Sequence, residues 1–239
     1  TIGKSRSFVD WQKIRALAAD LDMQRSAIVT YVAPTQPGDA LDLLWRLLDL
    51  APSLYERCDD SNGAISGVIA EALKDLGAVA TRAKLDEAAL AERVFAGVSA
   101  NDYGQFDGLI GLMAAALGPG GLATLKKKFE DRATTPRASE KPLERRVVGI
   151  STRGPIFEDD FEARYEGRRL RSALTEIADA LGDVDGYIVQ FSASEQTNPS
   201  IAADIAERLL GAHRPAEALA ALDRAEANSH NAGHWPDWQ

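Results

Sequence analysis

The sequence predicts an all-α protein, organised as an irregular α-solenoid of stacked helical hairpins. Apolar residues recur at three- and four-residue spacing along almost the whole chain, whereas the alternation typical of β-strands is nearly absent. Prolines and glycines fall between these periodic segments, where helices are expected to begin and end. A helical hairpin near residues 205–226 is too small to bury its own apolar face, so it is expected to stack on neighbouring hairpins.

Seven helices are predicted in the first half of the chain. Their ends are marked by Pro52, Gly77 and the pair Gly118-Pro119, because these residues interrupt or terminate helical hydrogen bonding. The predicted helices cover residues 9–21, 24–32, 38–50, 64–76, 87–98, 106–117 and 120–132.

Four further helices are predicted at residues 161–181, 184–191, 199–212 and 216–227. Gly182 is suited to the left-handed position that follows a helix, and Asp183 or Asp185 can cap the next one.

The segment between these two groups of helices has a different composition. Residues 134–160 contain three prolines and two glycines, with a short β-like patch at Val147, Val148 and Ile150. We therefore predict an N-terminal helical-repeat lobe at residues 1–133, a long loop at 134–160 and a C-terminal lobe at 161–239. The loop is either a flexible linker or a segment packed along a groove of the array, with its apolar residues buried there.

The C-terminal hairpin is similar to the helix pairs of tetratricopeptide proteins, which place small residues where two helices touch. Pro215 fits the first turn of the second helix, while Ala202 and His213 depart from the usual Trp and Gly. The matching positions are Ala206, Leu209, Ala218, Leu222 and Ala225, and an earlier match comprises Tyr31, Ala40, Leu44, Leu47 and Pro52.

At the scale of the whole chain, the sequence resembles the bacterial domain of unknown function 6880 (DUF6880), from about Ser7 to Trp238. The resemblance rests on the runs RSFVDWQKIRALAADLD, LLWRLLDLAPSLYERCDDSNG, YGQFDGLI, GDVDGY, IAADIAERLLGAHRPAEALAALDRAE and WPDW, in that order. It implies an α-solenoid and no known activity. Some members of the family also carry a SWIM-type zinc-binding segment elsewhere, which this sequence does not contain. Members continue past WPDW, so we expect the chain to be part of a longer polypeptide.

The charge composition disfavours nucleic acid and anionic membranes as partners. Lys and Arg total 27 against 36 Asp and Glu, which gives a net charge of -9. The basic clusters at residues 126–128 and 168–171 are interpreted as solvated helix faces. A single cysteine, Cys58, excludes an internal disulfide or a multi-cysteine zinc site, and no run has the length of a membrane span. These features are typical of a cytoplasmic protein.

The loop at residues 56–63, ERCDDSNG, is the first candidate site. Arg57, Asp59, Asp60 and Asn62 could contact a partner or ligand, although short polar residues before a helix are most often caps. Cys58 lies beside carboxylates and has no histidine nearby in sequence, so we interpret it as a small buried thiol rather than a nucleophile.

A second candidate lies at residues 103–109, where Tyr103, Gln105 and Asp107 could hydrogen-bond a peptide or form a helix start. Trp45 and Arg46 could line a concave recognition face, because Trp, Tyr and Arg are common at binding hot spots. Packing between helices explains Trp45 equally well.

No catalytic motif is recognised, and we predict neither a cofactor nor a metal. His230, His234 and Asp237 supply only two histidines and one weak third ligand, whereas zinc needs three or four protein ligands. The neighbouring Asn, Gly and Pro also argue against the helix that would place both histidines on one face. The leading hypothesis is a scaffold or adaptor that binds a protein or peptide, and the acidic net charge favours a basic one. The alternative is an enzyme, or a binder of a metal or small ligand, with an acidic pocket between the lobes. That pocket would use Asp59, Asp60, Tyr103 and Asp107, with Asp159 or Asp160 on the long loop.

Overall fold

The structure, a computed structural model, describes residues 8–135, 146–152 and 154–228. It is mostly helical, with one small two-stranded sheet, which confirms the all-α class. The α-helices are α1 (Trp11–Ala27), α2 (Pro37–Leu48), α3 (Ala51–Tyr55), α4 (Ala64–Ala80), α5 (Glu87–Ser99), α6 (Leu109–Thr134), α7 (Glu158–Leu181), α8 (Val184–Ile188), α9 (Pro199–Gly211) and α10 (Pro215–Asn228). The strands are β1 (Val147–Ser151) and β2 (Gly154–Phe157).

The chain divides into two compact units, Thr1–Lys128 and Phe129–Gln239. In the first unit, α4 packs against both α1 and α2. It also approaches α6, where Gly77 faces the backbone of Leu112. Helix α5 contacts α2, because Nη1 of Arg93 lies 2.5 Å from Oδ1 of Asp42. Within this unit α4 therefore contacts α1, α2 and α6, and α5 contacts α2.

The core of the first unit follows the apolar stripes of its helices. In α2 the buried side chains recur at three- and four-residue spacing, and Leu44 and Leu48 are completely inaccessible to solvent. Burying one such leucine contributes about 1.5–3 kcal/mol to the free energy of folding. The buried residues of α2 are Ala40, Leu41, Leu44, Trp45, Leu47 and Leu48.

The first two predicted helices, 9–21 and 24–32, are one continuous helical run, so the predicted break is wrong. Helix α1 extends to Ala27 and continues directly into a π-helical segment, Ile28–Val32. Residues 22–23 contain neither Gly nor Pro. Arg25, in the last turn of α1, bonds Asp22 of its own helix and Asp75 of α4. These contacts stabilise the helix across the predicted gap.

The predicted helices 106–117 and 120–132 correspond to α6, which begins three residues later than predicted, at Leu109, and is interrupted at the expected place. Gly118 has φ 58° and ψ 179°, a conformation open essentially to glycine alone, and Pro119 follows it. By length and hydropathy α6 is the one helix in the described ranges that could span a membrane. Leu109, Ile110 and Leu117 are fully buried within the protein, and 39% of the apolar window of α6 is buried.

The second unit has its own core, where α9 and α10 pack against each other and α8 contacts both α7 and α9. The small residues predicted to lie where the two helices touch, Ala206, Ala218 and Ala225, are buried. Of the two large apolar residues predicted between them, Leu209 is buried and Leu222 is partly buried. The cluster comprises Ala178, Tyr187, Ile205, Ala206, Leu209, Ala218 and Ala221.

The predicted loop, residues 134–160, is only partly described, since 136–145 and 153 lie outside the described residues. The β-like patch forms β1, which pairs antiparallel with β2. Helix α7 begins at Glu158, earlier than predicted, because three acidic residues occupy its first turn and favour a helix N-terminus. Ile150 is 87% exposed, and Val147 and Val148 are about half exposed, whereas the groove-bound alternative required them to be buried.

Helices α7 and α9 end in the same backbone motif with different residues. After α7, Gly182 has φ 66°, and Asp183 N donates to Ala178 O at 2.8 Å. After α9, His213 has φ 60°, and Arg214 N donates to Leu209 O at 2.8 Å. Both are Schellman motifs, in which glycine is the unstrained choice.

We therefore expect opposite results from two substitutions. His213→Gly should raise the free energy of unfolding by about 1 kcal/mol, because a left-handed conformation costs a residue with a Cβ about 1–2 kcal/mol. Gly182→Ala should lower it by a similar amount. Urea denaturation checks both, and a destabilising His213→Gly would contradict the motif.

Candidate functional site

The first unit brings together two loops that are far apart in sequence. The hydroxyl of Tyr103 donates a hydrogen bond to Oε1 of Glu56 at 3.1 Å, and the rings of Tyr103 and Tyr55 lie 5.8 Å apart. We call Tyr55, Glu56 and Tyr103 the loop edge. Tyr103 is 46% exposed and Glu56 is exposed, so this edge presents an aromatic ring and a carboxylate to solvent. The bond to Glu56 raises the pKa of Tyr103, which keeps the phenol protonated.

The loop between α5 and α6 is held in shape by two of its side chains. Oε1 of Gln105 accepts from the Tyr103 backbone N–H at 3.1 Å, and its Nε2 donates to the carbonyl of Ala100 at 3.2 Å. Asn101 donates to Oδ1 of Asp107 at 2.6 Å and accepts from the backbone N–H of Phe106. Gln105 is 4% exposed. The prediction that Gln105 contacts a partner is therefore wrong. Its side chain is buried, and its amide hydrogen-bonds the backbone of the loop, which positions Tyr103.

In the loop at residues 56–63, Asp60 is the main helix cap. Its Oδ1 accepts from the backbone N–H of Ile65 at 2.8 Å, and its Oδ2 accepts from the backbone N–H and the hydroxyl of Ser66. Asn62 accepts from the N–H of Ala64 at 3.1 Å. Asp60 therefore satisfies donors at the start of α4, as the capping interpretation predicts.

Asp60→Ala should lower the free energy of unfolding by about 0.5–2 kcal/mol, the usual cost of a lost cap. Asp60→Asn should lose less, because an amide oxygen can still accept one of the bonds. Asp59→Ala is the control: Asp59 is exposed and accepts one longer bond, 3.3 Å, from the N–H of Ser61. Thermal denaturation of the three variants checks this order. Equal losses for Asp59→Ala and Asp60→Ala would contradict the capping role.

Arg57 and Cys58 connect this loop to the N-terminal segment. The Arg57 guanidinium donates to the carbonyl of Ser53 at 2.8 Å, and its backbone carbonyl accepts from Val9. Cys58 is buried and pairs with Val9 in an isolated parallel bridge. Burial raises the pKa of the Cys58 thiol, while Arg57 acts in the opposite direction. A protonated, buried thiol is a packing residue, as expected from the sequence.

Trp45 lies in the core, so its predicted place on a recognition face is wrong. It is 2% exposed, and its ring lies 5.4 Å from that of Phe106. The Arg93 guanidinium lies 4.9 Å from the ring centroid, and a Cβ on Gly97 would lie 3.2 Å from the ring. The indole Nε1 is buried without a hydrogen-bond partner. Arg46, the next residue, is exposed.

The remaining candidate residues belong to other parts of the chain. Asp159 and Asp160 belong to the second unit, and His230, His234 and Asp237 lie outside the described residues. Within residues 8–135, 146–152 and 154–228, no group of three or more His, Cys, Asp or Glu could hold a metal ion.

Sequence reasoning missed Tyr55, and it placed Glu56 in the first candidate loop without assigning it a contact. Glu56 stands 47 residues from Tyr103, and no periodic pattern relates the two loops. Only the packing of their helices places them in contact.

The family predicted from the sequence is confirmed. The sequence model of DUF6880, described as a family of unknown function, matches residues 1–239, the whole chain. No curated protein and no solved structure matches the chain significantly.

Proposed function

We propose that this chain, which belongs to the family of unknown function DUF6880, is a helical-repeat scaffold that binds a basic segment of a protein partner. Its first unit is a short, irregular solenoid related to tetratricopeptide arrays, and the loop edge is its binding surface. The activity is recognition without bond-making chemistry, in the cytoplasm.

The solenoid proposal is supported by which helices touch. Helices α2 and α4 pack as a hairpin, and α5 and α6 follow them in the chain. The α2–α5 contact, through Arg93 and Asp42, joins the first helices of these two pairs. The α4–α6 contact, at Gly77, joins the second helices. This order of contacts is what successive stacked hairpins produce.

The loop edge carries the binding proposal, and its single most important observation is the bond from Tyr103 to Glu56. It joins the loop after α3 to the loop after α5, so two successive hairpins contribute to one surface. Tyrosine rings supply rigid contact area, and a carboxylate beside them attracts Lys or Arg. The net charge of -9 favours a basic partner through long-range attraction.

The test is binding of the chain to an array of 15-residue peptides that differ in charge. Peptides rich in Lys and Arg should bind, and their binding should weaken as salt is raised, whereas acidic peptides should not bind. Glu56→Gln removes the charge while keeping an acceptor for Tyr103, and Tyr103→Ala removes the ring. Each change should raise the dissociation constant of the peptides that the wild-type chain binds by about tenfold.

The matched control is Tyr31→Ala, because Tyr31 is an exposed tyrosine, 77% accessible, at another position in the first unit. It should leave peptide binding unchanged. Failure of every basic peptide to bind, or binding unaffected by both loop-edge variants, would contradict the proposal.

A further inference from the structure

Helix α7 has one face that packs against the protein and an opposite face that is exposed. The packed face carries Ala173 and Ile177, both buried, and Glu166 on the same side accepts from Nε of Arg132 at 2.7 Å. A shallow cavity of about 270 Å³ beside Glu166 is also lined by Ala163, Gly167 and Leu170. Phe161 and Tyr165 project from the other side, because they fall between these positions in the helical repeat.

The exposed face has the composition of an interface. Phe161 is 55% exposed and Tyr165 is 38% exposed, four residues apart and therefore one turn apart. The guanidinium of Arg169 lies 4.9 Å from the Tyr165 ring centroid, and that of Arg168 lies 6.0 Å from it. Aromatic and Arg side chains together are enriched at binding hot spots.

The order of charges along this face makes it complementary to an antiparallel copy of itself. Position 163 is the midpoint in sequence between Phe161 and Tyr165. Glu158 and Glu162 precede this midpoint, and Arg168 follows it. When two α7 helices cross antiparallel about that midpoint, Phe161 of each chain lies opposite Tyr165 of the other. Glu158 of each then lies opposite Arg168 of the other.

We propose that a second copy of this chain covers this face, through a two-fold symmetric, antiparallel α7–α7 contact. Each residue acts twice in such an isologous interface, so a few side chains have a large effect. Large hydrophobic side chains left exposed together on one helix face, as Phe161 and Tyr165 are, commonly mark an interaction site. The inference concerns the second unit and is independent of peptide binding at the loop edge.

The first test is the oligomeric state of the whole chain, measured by sedimentation equilibrium at about 1–200 µM. The wild-type chain should show a monomer–dimer equilibrium. Phe161→Ser combined with Tyr165→Ser should raise the dimer dissociation constant at least tenfold, with an unchanged far-UV circular dichroism spectrum. Tyr31→Ser, at an exposed tyrosine of the first unit, should leave the dissociation constant unchanged.

The second test uses charge reversal to establish the antiparallel geometry. Glu158→Arg alone and Arg168→Glu alone should each weaken self-association, because like charges then lie opposite each other. A mixture of the two single variants should form a heterodimer, since each Arg then meets a Glu at both ends. Thermal melting of each variant alone shows that it is folded, which matters because Arg146 lies 3.6 Å from Glu158.

A wild-type chain that stays monomeric at all concentrations would overturn the proposal. A dimer that is insensitive to the paired Ser variant, or a mixture that forms no heterodimer, would overturn it equally.

Discussion

Replacing Trp45 by Ala is expected to lower the free energy of unfolding by about 3–5 kcal/mol. Trp45 is 2% exposed and contacts Phe106, Arg93 and the backbone at Gly97, so truncation leaves a large cavity where α2, α5 and the loop before α6 meet. Close packing of that region cannot be recovered by relaxation of rigid helices. Urea denaturation followed by circular dichroism measures the loss.

Trp45→Phe separates packing from hydrogen bonding. The indole N–H is buried without a partner, and leaving such a group unsatisfied costs about 1–3 kcal/mol. Removing it while keeping an aromatic ring should therefore cost less than half as much as Trp45→Ala. Arg46→Ala, at the neighbouring exposed position, is the control and should change stability by less than about 0.5 kcal/mol. A Trp45→Ala variant as stable as the wild type would show that Trp45 is not in the core.

Gly77→Ala should lower the free energy of unfolding by about 1–3 kcal/mol, although alanine is the better helix former. A Cβ at Gly77 would stand 2.8 Å from the carbonyl oxygen of Leu112 and 3.0 Å from its Cβ. Because the first of these atoms belongs to the backbone of α6, accommodation requires one helix to move away from the other. The same change therefore tests the contact between α4 and α6.

The same helix provides the matched control for Gly77. A Cβ at Gly67, also in α4, would meet nothing within 4 Å. Gly67→Ala should raise the free energy of unfolding by about 0.5–1 kcal/mol through helix propensity alone. Thermal or urea denaturation of the two variants should thus give opposite signs. Stabilisation by both substitutions would mean that α6 does not approach α4 at Gly77.

Some helix ends could be predicted from a local residue, but Gly77, which was predicted to end a helix, lies inside α4, and α4 continues to Ala80. Gly182 adopts the left-handed conformation that its position indicated, and Asp183 caps α8 by accepting from the N–H of Gly186 at 2.8 Å. Gly118-Pro119 interrupts α6 where expected. The break predicted between residues 21 and 24 failed because no such residue occurs there. The contact that supports the helix, Arg25 with Asp75, comes from 50 residues away.

The candidate site was less predictable, since the same residue types serve packing and recognition. Trp45 lies on the buried stripe of α2, whereas Arg46 lies on its exposed side, and one helical step separates the two environments. Gln105 has a polar side chain that suits a surface, yet two backbone partners explain its burial. The contact of Glu56 with Tyr103 depends on the stacking of whole helices, which no local pattern encodes.

The central proposal is that the hairpins of the first unit are mutually dependent parts of one stacked array. Native-state hydrogen exchange tests it most directly, because it reports the free energy of opening for each amide. The slowest amides of α2, α4, α5 and α6 should exchange with one common opening free energy and one common denaturant dependence, since no hairpin can bury its apolar face alone. Protection that persists in α2 and α4 while α5 and α6 open several kcal/mol more easily would contradict the proposal.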